Sequence, residues 1–359
     1  MVAEKPKHFR KTVKRLLSYI GKKRNILIVM IVCVMLSVGV TLVAPIMQTE
    51  ALNYLTIESA GGYMQIIDGI PRILLNGKVY FFNGVLDQGY FSDGIYTPAS
   101  PNEYARDILA MKSLGFNTLR KHIKVEPEEF YYQCDKLGMI VFQDMVNNGK
   151  YSFLRDTALP TIGFKNLREK KRTPRERDAF YEGMKRTVSQ LYSHPCVVYY
   201  TIFNEGWGQF EADKMYALMR ELDSTRIIDT TSGWFKKNES DVNSLHVYFK
   251  EVKLKGEKGE KPIILSEFGG YSYKIKEHSA NLKKTYGYKK FENQGEFENA
   301  LINLYENEVI PNVQNGLCGA IYTQLSDVED ETNGFLTYDR RVLKVNCERV
   351  RATMEKLNK

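Results

Sequence analysis

From residue 73 onward, runs of apolar and β-branched residues alternate with stretches whose apolar positions recur every three to four residues. A parallel α/β sheet imposes this alternation on its chain, because buried strands are apolar on both faces and the helices that cover them on one. The pattern predicts strands at 80–85, 117–122, 139–145, 197–204, 227–231, 244–248, 263–267 and 320–324. Helices are expected at 102–114, 127–137, 175–192, 210–222, 295–309 and 347–357. Eight such units over roughly 290 residues suit a (β/α)8 TIM barrel, which takes about 250 residues before loop insertions. A doubly wound open sheet alternates in the same way, but its first strand normally runs into a glycine-rich turn. NGVLDQGYFSDG at 83–94 holds no GxGxxG, which favours the barrel.

The N-terminal pattern is different. Phe9, Val13, Leu16, Leu17 and Ile20 recur at helical spacing among Lys and Arg, as in a helix lying in a lipid interface. Residues 26–47, ILIVMIVCVMLSVGVTLVAPIM, then run 22 residues without a charge, and a helix needs about 20 apolar residues to cross a bilayer. The run exceeds a signal-peptide core of about 7 to 15 residues and lacks the polar face of a core helix. The expected organisation is a basic amphipathic segment at 1–25, a transmembrane helix at 26–47, a linker at 48–70 and the barrel at 71–359. The bilayer is then a partner through 26–47. With the bases ahead of the span, the N-terminus is expected in the cytoplasm and the barrel on the extracytoplasmic side.

The formal net charge of +8 suggests a nucleic-acid surface until it is located. Residues 1–24 hold nine Lys and Arg against one acid, and the remainder of the chain balances. No phosphate-tracking surface is expected on the main domain, and nucleic acid is excluded as a partner. The five cysteines form no CxxC or Cys/His spacing, so they read as small buried hydrophobes; no metal and no cofactor is expected.

In a TIM barrel, functional side chains project from the C-terminal ends of the strands. Two expected strands end in a carboxylate: CVVYYTIFNEGWGQ in Asn204 and Glu205, and KPIILSEFGGY in Glu267. An acid closing a buried apolar strand is costly unless it is paired or used. Two such acids on one rim are what glycoside hydrolysis requires, their separation deciding between retention and inversion. Arg120 and His122 alternate along the second strand and share a face on which they could hold substrate; Arg120 could equally pair with Asp144, which ends the third. His246 lies within the sixth strand, as a site residue or a satisfied core histidine. Trp207 follows Glu205 closely and could supply an apolar wall that raises the acid's pKa.

Asn-Glu closing the fourth strand and Ser-Glu-Phe-Gly closing the seventh resemble the signatures of glycoside hydrolase family 2, the β-galactosidase and β-glucuronidase family. FFNGVLDQGYFSDG, GFNTLRKHIKVEPEEFYYQCDKLGMIVFQDM and GAIYTQLSDVEDETNGFLTYDRR agree with it. The resemblance implies a retaining hydrolase of β-glycosides with Glu205 as acid/base and Glu267 as nucleophile. It further implies that Asn204 bonds the sugar 2-hydroxyl and that Tyr248 orients Glu267. Many related barrels place a tryptophan at the end of the eighth strand, where this chain offers Gln324. They also carry jelly-roll and immunoglobulin-like domains ahead of the barrel, for which the sixty or so residues here leave no room. The first fifty-five residues resemble the elbow and first transmembrane helix of ABC exporter permeases. A barrel that binds carbohydrate without turnover, or a permease fragment joined to a truncated hydrolase with the barrel in the cytoplasm, are the alternatives left open.

Overall fold

The structure is a computed structural model that describes residues 63–358 except 148, 150, 151, 153, 162, 163, 165–168, 170, 238 and 255–259, together with positions 10, 11, 14, 15, 29, 32–35 and 37. The chain separates into two compact units, 1–54 and 55–359. In the first, every described position is helical and exposed, Val29, Val34 and Met35 included. Among the described residues no helix is long and apolar enough to cross a membrane; most of the span expected at 26–47 lies outside them.

In the second unit eight parallel strands form one sheet: β1 Phe82–Asp87, β2 Thr118–Lys121, β3 Ile140–Asp144, β4 Val197–Asn204, β5 Ile227–Ser232, β6 Asn243–Val247, β7 Ile263–Gly269 and β8 Leu317–Thr323. Their order is β5-β4-β3-β2-β1-β8-β7-β6. Sequence neighbours are therefore spatial neighbours, and β1 pairs with β8, as a barrel requires. At the β5–β6 seam side chains take over from the ladder: Ser244 Oγ donates to Asp229 Oδ1 at 2.8 Å, and Ser232 Oγ meets His246 Nε2 at 3.0 Å. The barrel is nearly closed.

Helices α1 Asn102–Ser113, α2 Glu128–Leu137, α3 Pro174–Leu191, α4 Ala212–Leu222, α5 Gln294–Leu304 and α6 Cys347–Met354 occupy the connections. Local chemistry sets their ends. Thr173 and Glu176 form a reciprocal capping box with Pro174 opening α3, and Gly138 ends α2 in the left-handed region, each supplying partners or geometry that a helix terminus lacks. The interior is packed: Phe142 and Tyr199 stack at 4.1 Å, with Phe82, Ile264 and Ile321 in the same buried cluster.

All eight expected strands and six expected helices are present, with small shifts at their ends; 80–85 becomes 82–87 and 320–324 becomes 317–323. The expected linker is corrected at its C-terminal end. Met64–Ile67, Ile70–Leu75 and Lys78–Val79 form an antiparallel three-stranded sheet. Its two turns are Asp68-Gly69 (φ 52° and 78°) and Asn76-Gly77 (φ 54° and 72°), the dipeptides that tight hairpins favour. Ile73 from this sheet joins the barrel's interior cluster, and Cys318 Sγ reaches Pro71 O, so the sheet closes the N-terminal end. The other end is left for chemistry.

Candidate active site

The strands deliver polar residues to the open end, and the first to matter is buried. Arg120 on β2 is fully enclosed. A guanidinium there must satisfy five N–H groups. Nε and Nη2 grip the two Asp144 oxygens, each at 3.0 Å, Nη2 also donates to Asn204 Oδ1 at 2.8 Å, and Nη1 donates to Ser266 O and Glu267 Oε1, both at 3.0 Å. Arg120 thus pairs with Asp144 and binds Glu267 together. One side chain ties β2, β3, β4 and β7. Burial alone would raise the Asp144 carboxyl, but Arg120 and His122 outweigh it and hold it at about 2.

His122 and Arg120 share a face as expected, and His122 Nδ1 meets Asp144 Oδ2 at 3.1 Å. Burial opposes its charged form, yet the Asp144 bond and the charge of Glu267 raise its pKa. On the far side, Tyr248 just beyond β6 donates to Glu267 Oε2 and meets Thr323 Oγ1 at 3.1 Å, its ring stacked on Tyr288 at 3.8 Å. Both Glu267 oxygens are held, and its exposure is 5%.

Glu205 follows β4 with φ 51°, the left-handed region a non-glycine residue seldom adopts. The turn is fixed by Glu205 N–H donating to Ser232 O at 2.9 Å and Trp207 N–H to Asn204 O at 3.0 Å. Its side chain remains 29% exposed. Burial pushes its carboxyl up to about 7, only partly offset by His122 and Arg120. His246 bridges the two glutamates, with Nδ1 2.8 Å from Glu205 Oε1 and Nε2 3.6 Å from Glu267 Oε1. Burial presses its pKa down to about 4 against the pull of Glu267, which keeps the imidazole neutral at pH 7.

One oxygen of Glu205, one of Glu267 and a His246 nitrogen lie within 4.8 Å of one another, a spacing that could hold a cation. Here the three side chains meet one another through Glu205 Oε1, both His246 nitrogens and Glu267 Oε1. Asp135, His194 and Cys196 form a similar cluster, in which Asp135 receives His194 Nδ1 at 2.6 Å and Cys196 N–H at 2.8 Å.

Eight of the ten expected residues therefore converge. Trp207 donates its indole N–H to Gly149 O at 2.7 Å, bracing the turn after β4. Gln324 is buried, its amide spent on Gln88, Glu331 and Asn333. Sequence reasoning missed Ser232, Ser266 and Thr323, whose place at strand ends was the available signal, and Tyr288, Gln88 and Glu331, for which periodicity offers none.

Residues 66–358 match the family model described as glycosyl hydrolases family 2, TIM barrel domain. Among curated relatives, a β-galactosidase of Aeromonas hydrophila is 25% identical over 193 residues, 53% of this chain and 16% of its own length. One of Priestia megaterium is 23% identical over 252 residues, 67% of this chain and 22% of its own. Among solved structures, the β-D-glucuronidase of Dictyoglomus thermophilum superposes with a TM-score of 0.61 at 16% identity, covering 82% of this chain and 53% of that one. A β-galacturonidase from Eisenbergiella tayi, bound to galacturonate, gives 0.58 at 18% identity over 82% of this chain and 54% of that one. The chain thus spans about a fifth of these curated relatives and about half of these solved chains.

Proposed function

The chain belongs to glycosyl hydrolase family 2 through its TIM barrel domain, and from that premise we propose that it is a retaining hydrolase of β-glycosides. The observation that carries this reading is the spacing of the two glutamates. Their nearest oxygens lie within 4.8 Å, which suits the separation of about 5 to 5.5 Å used for attack by a carboxylate rather than the 6.5 to 9.5 Å that leaves room for a water.

Glu267 attacks the anomeric carbon while Glu205 gives its proton to the leaving oxygen, so the glycosidic bond breaks as the glycosyl–Glu267 ester forms. A water then attacks the same carbon, Glu205 takes its proton, and Glu267 departs as a carboxylate. A carboxyl raised to about 7 suits a group that must be acid in one step and base in the next. Arg120 and Tyr248 hold Glu267 by opposite oxygens, which fixes its aim and supports its charge on departure. In this reading Asn204, anchored on Arg120, bonds the sugar 2-hydroxyl, and His122 lines the same mouth.

Trapping decides the matter. A 2-fluoro β-glycoside that the chain accepts should leave its sugar on the peptide carrying Glu267, read by mass mapping. Sugar on another residue, or release without a trapped ester, defeats the retaining assignment. For residues 1–47 we propose a membrane anchor of the elbow-and-span kind that begins ABC exporter permeases, with the barrel extracytoplasmic; the basic run ahead of 22 uncharged residues supports it.

A further inference from the structure

Between β1 and β8 another carboxylate reaches the barrel mouth. Gln88 follows β1 and Gln324 follows β8, and their amide nitrogens both donate to Glu331 Oε2, at 2.9 and 2.8 Å. Gln88 also donates to Gln324 Oε1 at 2.8 Å, and Gln324 to Asn333 Oδ1 at 3.0 Å, so the two amides brace each other. The backbone is clamped as well. Glu331 and Val328 exchange two N–H···O bonds at 2.8 and 3.0 Å, Tyr286 N–H donates to Asp330 O at 2.6 Å, and Thr332 N–H to Tyr286 O at 3.0 Å. A loop built this way fixes where one acid points.

Burial raises the Glu331 carboxyl above its ordinary range, and the two amide donors on Oε2 oppose that by favouring the ionised form; they leave Oε1 with no hydrogen-bond donor among the described residues. Its donors Gln88 and Gln324 follow β1 and β8 at the open end, and Thr323, next to Gln324, meets the Tyr248 hydroxyl that holds Glu267; the charges of Glu267 and His122 act on Glu331 from the same mouth. His122 offsets its charge in part and is itself engaged by Asp144; the lysines and arginine of β2 and the turn after it are committed elsewhere. Arg120 has spent all five donors on the acceptors described above; Lys121 sits between Asp87 and Glu126, and Lys124 donates to Gly89 O and pairs with Glu126.

We propose that Glu331 makes the pocket selective for uncharged glycons: its open oxygen accepts a hydrogen bond from a sugar hydroxyl, and its charge repels the carboxylate of a uronic acid. This specificity rests on the glycosidase reading of the same pocket. Like charges a few ångström apart in a partly enclosed site repel far more strongly than in bulk water, so a uronide meets a penalty that its neutral counterpart does not.

The test compares kcat/KM of the full chain on matched 4-nitrophenyl pairs, β-galactoside with β-galacturonide and β-glucoside with β-glucuronide. The better neutral substrate should exceed its uronide by on the order of a hundredfold, and Glu331→Gln, which keeps an acceptor but removes the charge, should shrink that ratio on the order of tenfold, mostly through KM of the uronide. A uronide turned over as well as its neutral counterpart, or a ratio unmoved in a variant with wild-type circular dichroism, overturns the proposal. If the wild type cleaves none of the four, the glycosidase reading fails separately, and selectivity is read by calorimetric binding of galactose and galacturonate. Galactose bound, galacturonate rejected and the rejection relieved by Glu331→Gln sustains it; equal binding, or none, overturns it.

Discussion

Arg120 carries five N–H donors on one planar group, and the barrel supplies an acceptor for each. Removing a partner from a buried cation leaves it uncompensated, at a cost of about 3 to 5 kcal/mol. Asp144→Ala should therefore lower stability by that amount in urea unfolding at neutral pH. The pH dependence has a definite sign. Asp144 is depressed from 3.8 to about 2, so its ionised form stabilises the fold above pH 4, and the contribution, roughly 2 kcal/mol from the shift, fades as pH falls toward 2. The stability gap between wild type and Asp144→Asn should accordingly narrow from pH 7 to pH 3.

At Glu205 the same accounting governs rate. The proposed first step needs it protonated, and burial pushes its carboxyl up to about 7. The kcat/KM profile should fall as pH rises through about 7, and Glu205→Gln should remove that limb together with nearly all turnover of poor leaving groups. A profile flat to pH 9 would refute the acid role. His246 acts through Glu205: its Nδ1 meets Oε1 at 2.8 Å, which fixes the orientation of the carboxyl.

At the scale of elements, the site depends on what ends each strand. β5 runs into Gly233 with φ +90°, where an added Cβ would stand 2.7 Å from His246 Nδ1. No L side chain fits that conformation and that space together. Gly233→Ala should displace His246 from Glu205, move the alkaline limb of the rate profile and cost about 1 to 3 kcal/mol of stability, with the barrel's circular dichroism retained. Thr173→Ala, remote from the mouth, should remove the α3 capping box for about 1 kcal/mol and leave the profile's shape alone. Together the two variants separate strand-end geometry from general stability.

At the scale of the whole molecule, the two units carry opposite characters: 1–54 begins with a basic run and an uncharged stretch, and 55–359 holds the barrel. The anchor proposal predicts that the full chain sediments with membranes and resists carbonate extraction, coming free only with detergent. Release by salt or carbonate would reduce it to surface attachment.

Much of this was legible along the chain. Each βα unit is a local segment whose period is set by which faces it buries, so eight strands and six helices could be read from spacing, and the acids ending β4 and β7 stood out against the apolar runs that carry them. The DG and NG dipeptides at 68–69 and 76–77 carry the same kind of turn signal, but the short strands around them hide in mixed composition. What spacing could not give was mutual position. That Arg120 serves Asp144, Asn204 and Glu267 at once, that His246 stands between the glutamates, and that Glu331 is drawn in by Gln88 and Gln324 all depend on residues far apart in sequence. Barrel closure makes them neighbours. Local pattern determined the elements because burial is a local periodicity; the separation and ionisation of the acids were decided only in three dimensions, because Coulomb interactions and desolvation depend on distances that closure alone sets.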